Sequence, residues 1–404
     1  MSTTVSHTPR HIERGTHEFF WATLALFASG FATFALLYSV QPIMPLFSHE
    51  FGVSPAQASL SLSVTTQLLA VGMLVASSLS EVFGRKPVMA ISILCSSLLL
   101  TASAFAPNWT WFLIFRGLAG LTLSGLPATA MAYIGEEMSP QVAGMTMGLY
   151  IGGTGIGALL GRLITSLMAD WIGWRSGVFI IGLLSLAAGA IFWCKLPPSL
   201  HFKPHPLRLR LLLASAGAHL KDPVLLGLFA EGFLLCGSFI AFYNYLGYRL
   251  TAAPYNFSQT AVGLIFMISL VGIGSSAFTA DHAHRRGKEG SFCLLIALLL
   301  AGTLTATSSN LGTILGGAII LTFAFYGAHS VASGWISVRA RKAKAQAASL
   351  YLFSYYTGSS VIGYGGGLAW SSHGWPGVTA VLLVGFSAAL IIALWLWRRT
   401  DALR

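Results

Sequence analysis

The chain has 404 residues, 55% of them hydrophobic and only 9% charged, with a mean hydropathy of +0.74. Soluble domains carry about 25% charged residues, so this composition excludes an ordinary soluble fold and points to a membrane protein surrounded by lipid. The net charge of +11 would suit nucleic acid, but Lys and Arg fall in short clusters between apolar runs, with no basic face or nucleic-acid-binding motif. Cys95, Cys194, Cys236 and Cys293 sit in or at the ends of apolar stretches, without metal-ligand spacing or a disulfide framework. They are read as packing residues, and neither metal nor cofactor is expected.

The first 18 residues are polar, contain His7, His11 and His17, and lack the residue order of a cleavable signal peptide. The first apolar run is therefore expected to serve as the targeting signal. Such runs recur near 19–40, 58–79, 88–106, 111–134, 142–168 and 176–195, then near 224–248, 259–279, 290–308, 311–337, 346–370 and 376–397. Each can cross a hydrocarbon core of about 30 Å as a helix, and runs this long exclude barrel strands. The expected fold is all-α, with twelve transmembrane helices in two six-helix bundles, 19–196 and 223–397.

Basic residues alternate between loops. Arg10 and Arg14 precede span 1, Arg85 and Lys86 follow span 2, and Lys195, Lys203, Arg208, Arg210 and Lys221 follow span 6. Arg285, Arg286 and Lys288 follow span 8; Arg339, Arg341, Lys342 and Lys344 follow span 10; Arg398, Arg399 and Arg404 close the chain. These are most of the 23 Lys and Arg, so the positive-inside rule makes that side cytoplasmic and puts both tails, 1–18 and 398–404, inside. The connection 197–222, with Pro197, Pro198, Pro204 and Pro206, reads as a linker between bundles. Within it, 207–220 fits an amphipathic surface helix or a partly ordered linker equally well.

The chain also repeats itself. Phe27-Ala28-Ser29-Gly30-Phe31 returns as Phe229-Ala230-Glu231-Gly232-Phe233, altered only at the third residue. Leu149-Tyr150, Gly157 and Gly173-Trp174 return as Leu350-Tyr351, Gly358 and Gly374-Trp375, and Gly84-Arg85-Lys86 has a weaker echo in Gly287-Lys288. A period near half the length implies two homologous halves, and in a membrane protein that arrangement suggests a transporter with its site where the halves meet.

Several motifs carry chemistry. The loop after span 2 runs from Ser77 through Glu81 to Gly84-Arg85-Lys86, where glycine permits a tight reversal and the acid can pair with basic residues. His284-Arg285-Arg286-Gly287-Lys288 occupies the equivalent loop. Span 4 carries Arg116 followed by Gly120, with Arg116 roughly 8 Å below the boundary from which the helix enters. Span 5 has two glycine ridges, Gly144, Gly148, Gly152 and Gly153, Gly157, Gly161, expected to let helices approach closely. Arg162, one residue on, reads equally as a snorkelling side chain or a pathway charge. Asp170-Trp171-Ile172-Gly173-Trp174-Arg175 forms the turn to span 6.

Together these motifs resemble the major facilitator superfamily, from about residue 19 to 397, and at closer range the YnfM-type branch of bacterial inner-membrane transporters. Departures from its loop signature fall at Ser77, Glu81 and Val82, and the span 5 pattern resembles the drug/proton antiporter signature with Ala158 in place of proline and Arg162 in place of glycine. The resemblance implies a conformational latch from Glu81, Gly84, Arg85, Lys86, Arg285, Gly287 and Lys288. It also implies a cavity lined by spans 1, 4, 7 and 10. Those spans offer Phe31, Phe34, Tyr38 and Gln41; Arg116 and Ser124; Glu231, Tyr243 and Asn244; and Tyr326, His329 and Ser330.

Glu231 stands apart among the 12 acidic residues because it alone lies well inside a span, roughly 10 Å from the helix start at 224. An ionised carboxylate there costs several kcal/mol, so it is expected to be ion-paired or to carry its proton, as a reversible proton carrier would. Arg116 and His329 are further proton-coupling candidates. The expected function is proton-driven antiport of a small organic compound, such as a drug or sugar, out of a bacterial cytoplasm, by a monomer in the inner membrane. Proton-linked uptake is the rival. No P-loop supports ATP drive, and no cluster of His, Asp or Cys at a membrane surface supports a membrane enzyme.

Overall fold

The computed structural model describes residues 11–202, 216–340 and 342–401. Of the expectations above, those on 1–10, on Lys203, Arg208, Arg210 and most of the 207–220 segment, on Arg341 and on Arg404 lie outside the described residues; 216–220 is helical.

The described chain is helical throughout, with no strand beyond an isolated bridge between Ile12 and Met138. Spans 1 to 6 are His17–Tyr38, Pro55–Phe83, Arg85–Ser103, Trp109–Leu123 continued by Pro127–Glu137, Pro140–Trp171 and Trp174–Lys195. Spans 7 to 10 are Pro223–Thr251, then Gln259–Ile265 joined to Ser269–Arg286 by the 3-10 turn Phe266–Ile268, then Lys288–Thr305 and Leu311–Arg339. Spans 11 and 12 form one continuous stretch, Lys344–Asp401, divided at Gly374, whose φ of 60° and ψ of −143° are not helical. Eleven helices among the described residues are long and apolar enough to cross a membrane, and the break at Gly374 divides the last into two crossings.

Local chemistry explains the helix ends. Ser54 and Gln57 form a capping box at span 2, and Asn108, Asp222, Ser258 and Asn310 cap spans 4, 7, 8 and 10 through side-chain oxygens. Span 1 stops at Tyr38, earlier than predicted, because Pro42 and Pro45 cannot continue an incoming helix; a short helix, Met44–Phe51, follows. Spans 2, 5 and 7 overrun their predicted ends, since polar residues beyond the apolar run still complete helical turns.

The repeat is visible in backbone geometry. Gly84 and Gly287 turn the chain with φ of 96° and 98°, and Gly173 and Gly374 with φ of 96° and 60°. Only glycine adopts such values without strain, so each half reverses direction at matching places.

The same doubling governs packing. A Cβ on Gly157 would stand 2.0 Å from the Phe31 carbonyl oxygen, and one on Gly358 would stand 2.0 Å from that of Phe233. Gly153 and Gly161 likewise lie against the backbones of Phe27 and Ala35. Spans 5 and 11 therefore rest directly on the backbones of spans 1 and 7. The other span 5 ridge corrects the sequence reading. Gly144, Gly148 and Gly152 have no atom within 4 Å of where a Cβ would stand, so they face open space.

The halves meet at one end and diverge at the other. The end with the basic loops is called the basic end here, the opposite one the far end. Toward the far end, the Ser360 hydroxyl donates to the Ser63 carbonyl at 2.8 Å and bonds Thr66 at 3.0 Å, while Gly367 lies against the backbone of Ala56. The site of a Gly263 Cβ lies 2.5 Å from Ser166, and that of Gly155 lies 3.1 Å from Ile273. Toward the basic end these contacts stop among the described residues: Val71 and Val75 on span 2 are exposed, as are Gly144 and Gly148 on span 5.

Candidate functional site

Three arginines of the N-terminal half are buried; Arg85 sits at the basic end, while Arg116 and Arg162 lie well inside their spans and are held differently. Span 1 ends so early that the carbonyls of Leu36 and Leu37 lack the amides of a next helical turn. Arg116 supplies them instead, through Nη1 to Leu36 at 2.7 Å and Nη2 to Leu37 at 2.9 Å, while its Nε donates to the Ser61 carbonyl at 2.9 Å. Gly120, one turn on, lets span 4 lie against the Thr65 backbone and brings Arg116 within reach. All three nitrogens thus serve backbone carbonyls, an arrangement suited to clamping spans 1, 2 and 4.

Arg162 lies on the face of span 5 that meets the other half. Its Nε donates to Gln41 Oε1 at 2.8 Å, and its Nη1 to the Ala158 carbonyl at 2.8 Å. The guanidinium carbon sits 4.4 Å from the ring centre of Tyr38 and 4.8 Å from that of Phe266, one aromatic from each half. Gln41 Nε2 in turn donates to Asn244 Oδ1 at 2.8 Å. Arginine can only donate, so Gln41 must present its oxygen to Arg162 and its amide nitrogen to Asn244, which fixes both amide orientations. This chain of bonds crosses from one half to the other.

Aromatic residues of the C-terminal half extend the site. Tyr243 rests 5.3 Å from Phe266, and its hydroxyl shares a 2.6 Å hydrogen bond with Thr322. Phe239 stacks on Phe325 at 3.8 Å and meets Tyr326 at 6.1 Å. His329 Nδ1 bonds the Tyr351 hydroxyl at 2.8 Å, and its ring lies 4.9 Å from Tyr355. Phe31, Phe34, Tyr326, His329 and Tyr355 are half-buried. An apolar groove of about 580 Å³ lies between the basic-end turns of spans 1 and 5, lined by Phe20, Phe27, Met145 and Leu149. None of the cluster's residues lines it.

The site therefore gathers Tyr38, Gln41, Tyr243, Asn244, Tyr326 and His329 from the sequence candidates, with Phe34 5.8 Å from Tyr38. Ser330 bonds the Ser276 carbonyl at 3.3 Å, on span 8. Ser124 is turned away, packed against Gly72 within its own half. Sequence reasoning missed Phe266, Tyr351 and Tyr355, and did not include Arg162 in the cavity, because spans 5, 8 and 11 were not among those expected to line it; Thr322 was missed on span 10, which was.

Glu231 is completely buried, and neither carboxyl oxygen has a hydrogen-bond partner among the described residues. It lies within electrostatic range of Cys293 and Tyr351. Lipid and apolar side chains solvate an ionised carboxylate poorly, so this pocket accommodates the protonated form.

At the basic end, Gly84 and Gly287 make their turns, and the charged pairs of Arg85 and Arg285 beside them each stay within one half. Arg85 grips Glu136 with two hydrogen bonds, 2.7 and 3.2 Å, and bonds Ser80 at 2.6 Å. Lys86 donates to the Leu196 carbonyl at 2.5 Å, Arg285 pairs with Asp281 at 3.0 Å, and Lys288 lies 5.0 Å from the Trp335 ring. Glu81 has no ion pair among the described residues. Glu136, which nothing in the sequence singled out, is the acid that pairs with Arg85.

A family described as Major Facilitator Superfamily matches residues 24–363. The chain is 47% identical to the uncharacterized MFS-type transporter YybF of Bacillus subtilis over 386 residues, covering 96% of this chain and 95% of that one. It is 44% identical to the inner membrane transport protein YnfM of Escherichia coli over 398 residues, covering 98% and 95%. Among solved structures, a mutant of the nucleoside transporter NupG aligns with a TM-score of 0.75 at 16% identity, covering 93% of this chain and 99% of that one.

Proposed function

Because the chain belongs to the major facilitator superfamily, a family of membrane transporters and not of enzymes, we propose that this multi-pass protein exports a small organic compound from a bacterial cytoplasm in exchange for protons. The basic end is the cytoplasmic one by the positive-inside rule, so the conformation described is open to the cytoplasm and closed outside, as a single chain in the inner membrane. Alternating access then consists of the halves rocking about the Arg162 cluster.

The observation that carries proton coupling is Glu231, fully buried and unpaired among the described residues. A carboxyl kept neutral by its surroundings can release its proton when the opposite conformation wets it, which links proton movement to the conformational cycle. His329, bonded to Tyr351 beside the cluster, offers a second group for the same relay. Uptake with a proton is the second reading, favoured by Ala158 standing where the antiporter pattern has a helix-bending proline.

The test uses proteoliposomes with an interior pH dye and an imposed pH gradient, challenged with aromatic acids, sugars and amphipathic cations. Wild-type protein should move protons when a substrate is added, and Glu231→Gln should not. Unchanged substrate-linked proton flux in the variant would remove Glu231 as the carrier.

A further inference from the structure

Arg116 and Arg162 are buried to similar degrees, 0% and 7% exposed, yet only one of them is saturated. Every nitrogen of Arg116 meets a carbonyl. Arg162 uses Nε and Nη1, while Nη2 donates to nothing among the described residues and no carboxylate pairs with the group. A buried cation without a counter-charge is costly in a membrane interior, by several kcal/mol. The two flanking rings, Tyr38 and Phe266, offset part of that cost but supply no acceptor. The site therefore has one formal positive charge, an unused donor and walls of aromatic side chains.

We propose that the transported compound is a small organic anion: a carboxylate on a flat, aromatic body, its carboxylate accepting from Nη2 of Arg162 and its ring lying among Tyr326, Tyr355 and Phe239. Arginine is suited to this because its planar fork matches a carboxylate and stays charged at any working pH. The aromatics are the natural surface for a flat apolar body. Because Arg162 sits between Tyr38 of one half and Phe266 of the other, and is tied through Gln41 to Asn244, an anion bound there contacts the junction that must rearrange for the halves to rock. This rests on the reading that the Arg162 cluster is the transport site, and not on the identity of the proton carrier.

The test is binding to purified protein in nanodiscs at one pH with no gradient, by calorimetry and thermal shift, using benzoate, its neutral isostere benzamide, benzylamine, acetate and chloride. Benzoate should bind about tenfold or more tighter than benzamide, as a polar site discriminates against a ligand that leaves its charge unpaired. Arg162→Gln should abolish that preference while its ligand-free melting temperature reports whether the variant is folded. Arg162→Lys, which keeps the charge, should bind benzoate more weakly yet retain the preference over benzamide. Equal binding of benzoate and benzamide, binding of neither, or an undiminished preference in a folded Arg162→Gln protein overturns the proposal. So does chloride displacing benzoate at similar concentrations, which would make the site one for inorganic anions. No proton gradient is present, so failure of the Glu231 test leaves this result standing, and the reverse also holds.

Discussion

The amide of Gln41 and that of Asn244 share a 2.8 Å hydrogen bond across the interface between the two halves, and they occupy nearly equivalent positions of the repeat, 203 residues apart. Around it, Tyr248 donates to the Met44 carbonyl at 2.9 Å and bonds Ser48 at 2.7 Å, while the Asp170 carboxylate accepts from the backbone amides of Gln259 and Thr260. All of these close the far end. A buried neutral hydrogen bond contributes about 1 kcal/mol net, and more when its loss strands a polar group. Asn244→Ala should therefore move the population toward the state open at the far end by roughly five- to tenfold. Spin-label distances across that end, lengthened in the variant relative to wild type, measure it.

The two glycine ridges of span 5 should respond in opposite ways to an added methyl. Gly157→Ala would drive a Cβ to within 2.0 Å of the Phe31 carbonyl oxygen, and Gly358→Ala would do the same to Phe233. Overpacking against a backbone costs about 1–3 kcal/mol, so both proteins should melt several degrees lower in detergent. Gly144→Ala, with open space around it, should melt like wild type or slightly higher, since alanine favours the helix.

Gly148 tests whether that open space closes during the cycle. It lies on the face of span 5 that carries Gly155 and Arg162, two and four turns on, where span 5 faces the other half. Closing the basic end would bring span 8 against it. Gly148→Leu should therefore leave ligand binding from the basic side intact and stop turnover, trapping the protein in the conformation described. Equal exchange rates in wild type and variant would count against closure along this face.

A pH effect follows from Asp222, which caps span 7 and pairs with Arg339 at 2.8 Å. Burial pushes this carboxyl up, but the Arg339 guanidinium and the amides of Val224 and Leu225 outweigh it and hold it below the usual carboxylate range. A lowered value means the stabilisation is fully present above the unfolded value of about 4 and disappears as pH falls through the folded one. Asparagine caps a helix as well as aspartate does, so Asp222→Asn removes the ion pair while keeping the cap. Wild type should melt higher than the variant near neutral pH, and the difference should shrink toward zero as the pH drops below about 4.

Much of this was legible from the chain alone. Apolar run length predicted the spans, and the echoes at 27–31, 157 and 173 predicted a doubling that the structure repeats in the Gly157–Phe31 and Gly358–Phe233 contacts. Periodicity could not tell which glycine ridge is packed, since both obey the same spacing and only the neighbouring helix distinguishes them. Nor could it tell Arg116 from Arg162. Their roles depend on where span 1 stops, which orphans two carbonyls beside Arg116 and none beside Arg162. Aromatics of spans 8 and 11 carried no mark separating them from the many that face lipid.

Electrical charge offers the last check, because the three transport schemes differ in it. Exchange of one proton inward for one organic anion outward moves two positive charges inward, so an interior-negative potential drives it by about 4–5 kcal/mol per 100 mV. Proton exchange for a neutral compound moves one charge and gains half as much. Uptake of a proton with an anion moves none. In proteoliposomes clamped with potassium and valinomycin, an aromatic acid found to be a substrate should be expelled faster and further as the interior is made negative, even with equal pH on both sides. A flux that ignores the potential would favour the uptake reading, with Arg162 still holding the anion. A dependence of half the expected steepness would instead fit a substrate without charge.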